Sequence, residues 1–299
     1  MYKSIACILL VTTAHCVGQQ TAFYSKPVGD KIECTYKWKN EFGNHTTTVL
    51  IAQTVASTGF YEFTQLNNSE IDNKTALAIQ AEAPNVSKLF GVEVEIKVED
   101  NWYSFTVKGG TNKVVMEISK WLEKKAKEIR DEKLREAYFI RSKANNNSLD
   151  IDYARLINRY VHTMYDVAKA LHIKAGGKRA AITHYLNFIQ SIPYSNKFHN
   201  DAGFTTPIGM LLENKGDCDT KAVAFAALMK NFGLPVILFI IPEHVMIGVE
   251  LTPSTSDVHM KIGDKKYILA ETGQGYPLGA ISSDTMEELK RGNYQIIVP

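Results

Sequence analysis

The chain has 299 residues, of which 45% are apolar, 10% aromatic and 22% charged. These fractions are typical of a globular protein with a buried core, and they exclude an intrinsically disordered or collagen-like chain. The 34 basic and 32 acidic residues leave a formal net charge of only +2, so the charge balance does not indicate a nucleic-acid partner. The length allows one large domain or two ordinary ones.

The chain holds four cysteines, with no Cys-x-x-Cys pair and no Cys/His spacing typical of a zinc site. Four cysteines in 299 residues are too few for a disulfide scaffold. We therefore expect neither a metal site nor another cofactor.

The first residues have the pattern of a secretory signal peptide. A positively charged start, Met1–Lys3, precedes the apolar run Ile5–Val11, which is too short to cross a bilayer. Small residues up to Gly18 complete the pattern, so residues 1–18 are predicted to direct the chain to a secreted or periplasmic location. Lipidation at Cys16 is the alternative. No membrane span is expected in the remaining chain.

Residues 19–115 are predicted to form a β-rich N-terminal region. Polar and apolar residues alternate in short runs such as Lys31–Trp38 and Val92–Val98, and turn residues such as Asn67–Asn68 separate these runs. Alternation of this kind is typical of strands with one buried face.

Residues 116–149 are predicted to form an amphipathic helical connector. The segment Glu117–Lys143 is rich in Lys, Glu, Ala and Leu, which favour helices. Its apolar residues Ile118, Leu122, Ala126 and Ile129 recur at helical spacing.

Residues 150–299 are predicted to form the catalytic domain. Helices are expected first, from a cap at Asp150 to about 171, over 178–192 and over 219–231. Three continuous apolar runs then predict buried strands: Val236–Ile241, Met246–Leu251 and Tyr267–Ala270. Helices followed by strands indicate an α+β fold.

Cys218 stands where a loop turns into the third of these helices. The N–H groups and partial positive charge of a helix N-terminus favour a thiolate, which is the nucleophilic form of cysteine. The acidic neighbours Asp217 and Asp219 are interpreted as loop and helix-start residues, although Asp219 opposes a low thiol pKa. Cys34 either pairs with Cys218 in a disulfide or stays free because Cys218 is a reactive thiol.

Two further residues stand where they could complete a cysteine-based site. His244 opens the second apolar strand after a Pro-Glu turn, and Glu271 ends the third. Acyl transfer by cysteine needs a nucleophile, a base and a group that orients the base. Cys218, His244 and Glu271 are the candidates for these three roles.

At this point the sequence resembles the bacterial transglutaminase-like cysteine peptidases of the papain-like fold superfamily. The resemblance covers roughly residues 180–280. It is carried by an ordered set of segments: Phe188–Tyr194 (FIQSIPY), Thr206–Pro207, Leu211, Gly216–Ala222 (GDCDTKA), Glu243–Val245 and Tyr267–Thr272. The chain has GDCDT where the family usually has GDCED, and Glu271 stands where many members have Asp.

The resemblance implies a papain-like core in which a helix bearing the nucleophile packs on an antiparallel sheet. It also implies that Cys218 attacks a carbonyl, that His244 moves the proton and that Glu271 orients the imidazole. Gln190, and after it Tyr194, are the candidates for a side-chain donor to the oxyanion.

The resemblance leads to the expectation of a secreted or periplasmic thiol hydrolase that cuts peptide or amide bonds through a thioester. Its partner would be a protein or peptide substrate. Two alternatives stay open at this stage. One is a transferase that joins a glutamine side chain to an amine on the same triad. The other is a non-catalytic envelope binding or assembly module that keeps the fold. The oligomeric state is also left open.

Overall fold

The computed structural model of the chain describes residues 17–61, 67–142, 148–172, 176–196, 204–273 and 275–299. These residues form a mixed α+β fold with ten helices and antiparallel sheets. Almost all of the predicted signal peptide, residues 1–16, lies outside the described residues. No helix in the described part of the chain is both long and apolar enough to cross a membrane.

Three antiparallel strands open the described chain: β1 (Gln19–Val28), β2 (Lys31–Asn40) and β3 (Gly43–Ala52). They pair in the order β1–β2–β3. On β2 the alternate residues Cys34, Tyr36 and Trp38 are buried. One face of this sheet therefore packs against the rest of the protein, as a period of two residues requires.

The prediction of a β-rich region is wrong between residues 53 and 90, where the described residues, 53–61 and 67–90, form three helices. Asn67, interpreted as a turn residue, is the N-cap of the second helix, and its side chain accepts a hydrogen bond from the Glu70 amide at 3.1 Å. That helix buries Ile71, Thr75 and Ile79 at helical spacing. The elements are α1 (Gln53–Tyr61), α2 (Asn68–Ala81), α3 (Ala83–Phe90) and the hairpin β4 (Glu93–Glu99) and β5 (Trp102–Lys108).

The connector contains a long helix, α4 (Asn112–Glu136), which ends seven residues before the predicted end. Tyr138 follows it with a φ of 63°, a left-handed conformation that ends helical geometry. The chain then forms a short hairpin, β6 (Phe139–Arg141) and β7 (Leu149–Ile151). Ile118 and Leu122 are buried as predicted, in a cluster with residues of α2, α3 and β4.

The sheet β1–β3 packs against the C-terminal half of the chain. The Tyr36 ring meets the Phe188 ring edge-on at 5.3 Å, and its hydroxyl donates to the Leu211 carbonyl at 2.5 Å. Trp38 lies 4.8 Å from the His184 ring, measured between centroids. The apolar contacts thus group residues 19–52 with the C-terminal half, whereas the predicted boundary at 115 separates them.

Five helices of the described chain lie between β7 and the last sheet. The first is capped by Asp152 rather than Asp150. The last is rich in alanine, a strong helix former, and its side chains are buried over three turns. The helices are α5 (Tyr153–Val161), α6 (Tyr165–Ala170), α7 (Gly177–Ser191), α8 (Pro207–Glu213) and α9 (Cys218–Asn231).

The C-terminal half ends in a five-stranded antiparallel sheet that lies against α9. All three predicted strands are present. Both faces of the sheet are covered, because Leu238 of its central strands joins the main core under α9 while Phe239 joins a second cluster with the last helix. The elements are β8 (Val236–Ile241), β9 (His244–Glu250), β10 (His259–Ile262), β11 (Lys265–Ala270), α10 (Ser283–Arg291) and β12 (Gln295–Ile297), with the order β10–β11–β9–β8–β12.

The buried His184 makes stability depend on pH. Burial, followed by the nearby His45, lowers the pKa of His184 to about 4. The unfolded chain, with a histidine pKa of about 6.5, therefore binds the proton more readily than the folded protein. This histidine disfavours folding increasingly as the pH falls from about 6.5 towards 4, and has little effect above that range.

We expect His184→Gln to remove about 2 kcal/mol from the loss of unfolding free energy between pH 7 and pH 5. Urea unfolding of the wild type and the variant at pH 7 and pH 5 measures this loss of unfolding free energy. His259→Gln, at an exposed histidine of β10, is the matched control. Equal losses in the wild type and in His184→Gln would contradict the prediction.

Candidate active site

Cys218 is the first residue of α9 and is 7% exposed. The helix begins here because Asp217 caps it, accepting a hydrogen bond from the Thr220 amide at 2.9 Å. Both Cys34 and Cys218 are free thiols, so the disulfide alternative is not realised. The Cys218 thiol donates to Oδ1 of Asp219 at 3.3 Å.

His244 and Glu271 meet on the neighbouring strands β9 and β11. Glu243, just before β9, has a φ of 59°, and His244 is the first residue of the strand. Glu271 directly follows the last residue of β11 and is fully buried. Its Oε1 lies 2.6 Å from Nε2 of His244, in a hydrogen bond.

Gly273 lies between the cysteine and the histidine. A Cβ built on Gly273 would stand 3.4 Å from Cβ of Cys218 and 3.8 Å from Cε1 of His244. The two side chains therefore flank one glycine. The structure brings the three residues singled out in the sequence, Cys218, His244 and Glu271, into one place.

The surroundings of Cys218 oppose the thiolate, contrary to the effect expected from the helix N-terminus. Burial, and next the negative charge of Asp219, raise the pKa of the Cys218 thiol well above its ordinary value. A hydrogen bond involving the Val245 backbone acts in the other direction but is outweighed. The free protein therefore holds Cys218 as a neutral thiol.

The surroundings of His244 favour its protonated form. Burial disfavours the charge, but the hydrogen bond and negative charge of Glu271, together with Asp219, outweigh it and raise the pKa of His244. Glu271 contacts Nε2, so Nδ1 is the ring nitrogen left to exchange a proton with another group.

Gln190 has a different role from the predicted one. Its Nε2 donates to the carbonyl of Glu271 at 2.7 Å and to that of Tyr276 at 2.7 Å. Because an amide nitrogen has two hydrogens, Gln190 keeps none for an oxyanion. It instead holds the backbone on both sides of Gly273.

Tyr194, the second oxyanion candidate, lies next to the loop that precedes Cys218. Tyr194 and Gly216 form an isolated parallel β-bridge. The Gly216 amide donates a hydrogen bond to the Pro193 carbonyl at 3.1 Å. Tyr194 is 56% exposed and lines the cleft beside His244. Burial, and then the nearby Cys218, raise the pKa of its phenol.

The sequence reasoning missed Lys221, which lies one turn into α9 and is 1% exposed. Its Nζ donates to the Ile192 carbonyl at 2.5 Å, and burial lowers its pKa to about 8. This hydrogen bond to Ile192 ties α9 to the end of α7. Near Lys221, burial and then the negative charge of Asp219 raise the pKa of Asp217 to about 6. The sequence signals of Lys221 were its place in the Gly216–Ala222 motif and the apolar run 222–229 that follows it.

A cleft of about 750 Å³ opens beside His244 and Gly273. Its wall is formed by the turn before β9 and by α10. Four acidic residues line this cleft: Glu243, Asp284, Glu287 and Glu288. Arg291, which also lines it, forms ion pairs with Glu287 and Glu288. His244 and Gly273 thus line a space large enough for part of a peptide.

No family model and no curated protein matches the chain. A solved structure described as a "putative cysteine protease" from Cytophaga hutchinsonii is 16% identical over 51% of this chain, with a TM-score of 0.30. This chain spans about half, 53%, of the length of that one. A likeness this weak carries no argument, so the chemistry of the site is inferred from its own geometry.

Gly273 lies next to both Cys218 and His244. A methyl group there would make ordinary van der Waals contacts, so we expect Gly273→Ala to change the melting temperature by no more than about 2 °C. A larger side chain in Gly273→Leu would extend further into the space beside Cys218 and His244. It should slow alkylation of Cys218 by at least about tenfold.

Peptide mass spectrometry after timed iodoacetamide treatment measures this rate. Cys34, in β2 and distant in sequence, is the internal reference in the same sample. If Gly273→Leu leaves the Cys218 rate unchanged, the glycine does not lie on the path to the thiol.

Proposed function

We propose that the protein is a secreted or periplasmic thiol hydrolase of peptide or amide bonds with a transglutaminase-like, papain-like core. One observation carries this proposal: His244 bonds the buried Glu271 at 2.6 Å, and Cys218 and His244 flank the same glycine. The ordered motif set from Phe188 to Thr272 supports the choice of family chemistry.

In the first step the Cys218 proton passes to Nδ1 of His244, and the sulfur attacks the substrate carbonyl carbon. The C=O electron pair moves onto oxygen, which gives a tetrahedral intermediate. When the C–N bond breaks, its electron pair leaves with nitrogen, and His244 protonates the amine. A thioester on Cys218 remains.

In the second step water resolves the thioester. His244 takes a proton from the attacking water, and the C–S bond breaks when the new tetrahedral intermediate collapses. The proton returns to sulfur, and a carboxylic acid leaves. Through both steps Glu271 holds the ring by Nε2 and stabilises the imidazolium.

The oxyanion is assigned to the Cys218 backbone N–H at the start of α9. A helix N-terminus presents N–H groups and partial positive charge, which favour a developing negative charge. Tyr194, which lines the cleft next to His244, is the candidate for a second donor. Gln190 supports the site through the backbone and does not contact the oxyanion.

A pure binding module explains the buried carboxylate poorly. Glu271 is fully buried, and its Oε2 has no hydrogen-bond partner in the described part of the protein. Leaving a buried polar atom unpaired costs about 1–3 kcal/mol. Such a residue is easier to understand where its charge serves a histidine in catalysis.

We expect Cys218→Ala to abolish turnover, with a loss of at least about 10³-fold, and to leave the fold intact. Cleavage of a peptide library by wild type and variant measures turnover, and circular dichroism checks the fold. Cys34→Ala is the matched control at the other described thiol and should retain activity. Turnover that survives in Cys218→Ala would refute the proposal. Products that carry an added amine would support the transferase alternative.

We expect His244→Ala to lower kcat by about 10²–10⁴-fold, because the proton acceptor is lost. Glu271→Gln should lower kcat less, since its amide oxygen can still accept from Nε2 but cannot stabilise the imidazolium by charge. The KM should change little, because Glu271 contacts the histidine and not the substrate.

The double variant should lose little more than His244→Ala alone, since no ring is left to orient. Steady-state kinetics on the single and double variants measure this. Additive losses, or a rise in KM with kcat unchanged, would place Glu271 outside the triad.

A further inference from the structure

Asp219 links the candidate nucleophile to a helix outside the predicted site. The Tyr153 hydroxyl, on α5, donates to Oδ2 of Asp219 at 2.6 Å. The other oxygen, Oδ1, accepts from the Cys218 thiol at 3.3 Å. Tyr153 is 6% exposed, so this chain of two hydrogen bonds lies largely away from solvent.

We propose that Asp219, held in place by Tyr153, is a positioning residue that keeps the proton on the Cys218 sulfur in the free protein. The inference rests on the proposed role of Cys218 as the nucleophile. A carboxylate accepts a hydrogen bond from a thiol but repels a thiolate. Asp219 therefore orients the S–H bond and raises the energy of the charged form.

Both oxygens of the Asp219 carboxylate accept a hydrogen bond, one from Tyr153 and one from Cys218. A tyrosine hydroxyl that donates to one carboxylate oxygen limits rotation of the group and keeps the second oxygen aimed at the sulfur. Without the hydroxyl, the carboxylate could turn towards water, because Asp219 is only partly buried. The two residues act as one unit, although 66 positions separate them.

The other charged or titratable groups around Cys218 do not replace this effect. Asp217 adds a weaker negative influence on the thiol, and Lys221 on α9 is directed to the Ile192 carbonyl. The remaining groups that face the sulfur are Tyr194 after α7, Tyr153 on α5, and His244 on β9 with Glu271 behind it.

The consequence is a nucleophile that is activated during the reaction and not before it. The neutral thiol gives its proton to Nδ1 of His244 only when a carbonyl carbon is ready to accept the sulfur electron pair. His244 must be neutral to accept that proton. Because its pKa is raised, turnover should increase with pH through the range just above the ordinary histidine value.

The test is the pH dependence of Cys218 alkylation by iodoacetamide in the full chain, followed at this residue by peptide mass spectrometry. We expect Asp219→Asn to move the rate profile to lower pH by at least about one unit, which is about tenfold faster labelling at pH 7. Tyr153→Phe loses only a hydroxyl and should move the profile in the same direction by less.

Two matched variants and one internal reference control the measurement. Tyr160→Phe removes a hydroxyl from a buried tyrosine of the same helix, and Asp264→Asn removes an exposed carboxylate from the turn after β10. Both should give the wild-type profile. The Cys34 profile should be the same in every protein.

Asp219→Asn and Tyr153→Phe profiles that superimpose on the wild type, or move to higher pH, would overturn the inference. If Cys218→Ala abolishes turnover at the same time, the proposed function survives this failure. If the profiles move to lower pH as expected while Cys218→Ala retains turnover, the hydrogen-bond chain is supported and the proposed function is what fails.

Discussion

The candidate site depends on the hydrogen bond between the Glu271 carboxylate and the His244 ring. A fully buried carboxylate is unfavourable unless a partner compensates its charge, and His244 is the partner that the structure supplies. The same bond occupies Nε2. The ring is thereby oriented with Cε1, the carbon between its nitrogens, near Gly273, which also adjoins Cys218. This one hydrogen bond therefore favours a positive charge on the His244 ring, sets the orientation of the ring and leaves Nδ1 to exchange protons.

Side chains that bond backbone carbonyls brace this arrangement. Gln190 connects α7 to the carbonyls of Glu271 and Tyr276, and Lys221 connects α9 to the carbonyl of Ile192. Three segments that are distant in sequence are therefore tied together beside the nucleophile and the base. Groups held by several such contacts keep their geometry, which proximity effects in catalysis require.

The distance along the chain over which an interaction acts decides whether the sequence could predict it. Features that depend on neighbouring residues were predictable, and contacts between distant segments were not. The strand Val236–Ile241 was predictable because a continuous apolar run suits a strand covered on both faces. The start of α9 was predicted one residue late, at Asp219, because Asp217, which caps the helix, was interpreted as a loop residue. Residues 53–61 and 67–90 were misjudged because short helices and strands with few apolar residues have similar patterns.

The supporting contacts of the site could not be predicted in the same way. Tyr153 and Asp219 are 66 residues apart, and Gln190 bonds carbonyls 81 and 86 residues away. Nothing in the local pattern of either segment points to its partner. The roles of Gln190 and Tyr153 arise from the packing of α5, α7 and α9, which only the folded chain displays.

The two carboxylates beside the Cys–His pair act in opposite directions. Glu271 stabilises a positive imidazole, whereas Asp219 destabilises a negative sulfur. Asp219 therefore disfavours the thiolate of a resting thiolate–imidazolium pair, whereas Glu271 favours its imidazolium. A carbonyl substrate removes that obstacle, because attack transfers the developing negative charge from sulfur to the carbonyl oxygen, away from Asp219 and towards the N–H groups of α9. The charge that Asp219 opposes is therefore lost on the way to the tetrahedral intermediate, while the charge that Glu271 stabilises is kept until the leaving amine is protonated. Within the proposed function, this asymmetry makes substrate attack, and not the free thiol, the step at which the site is electrostatically complementary.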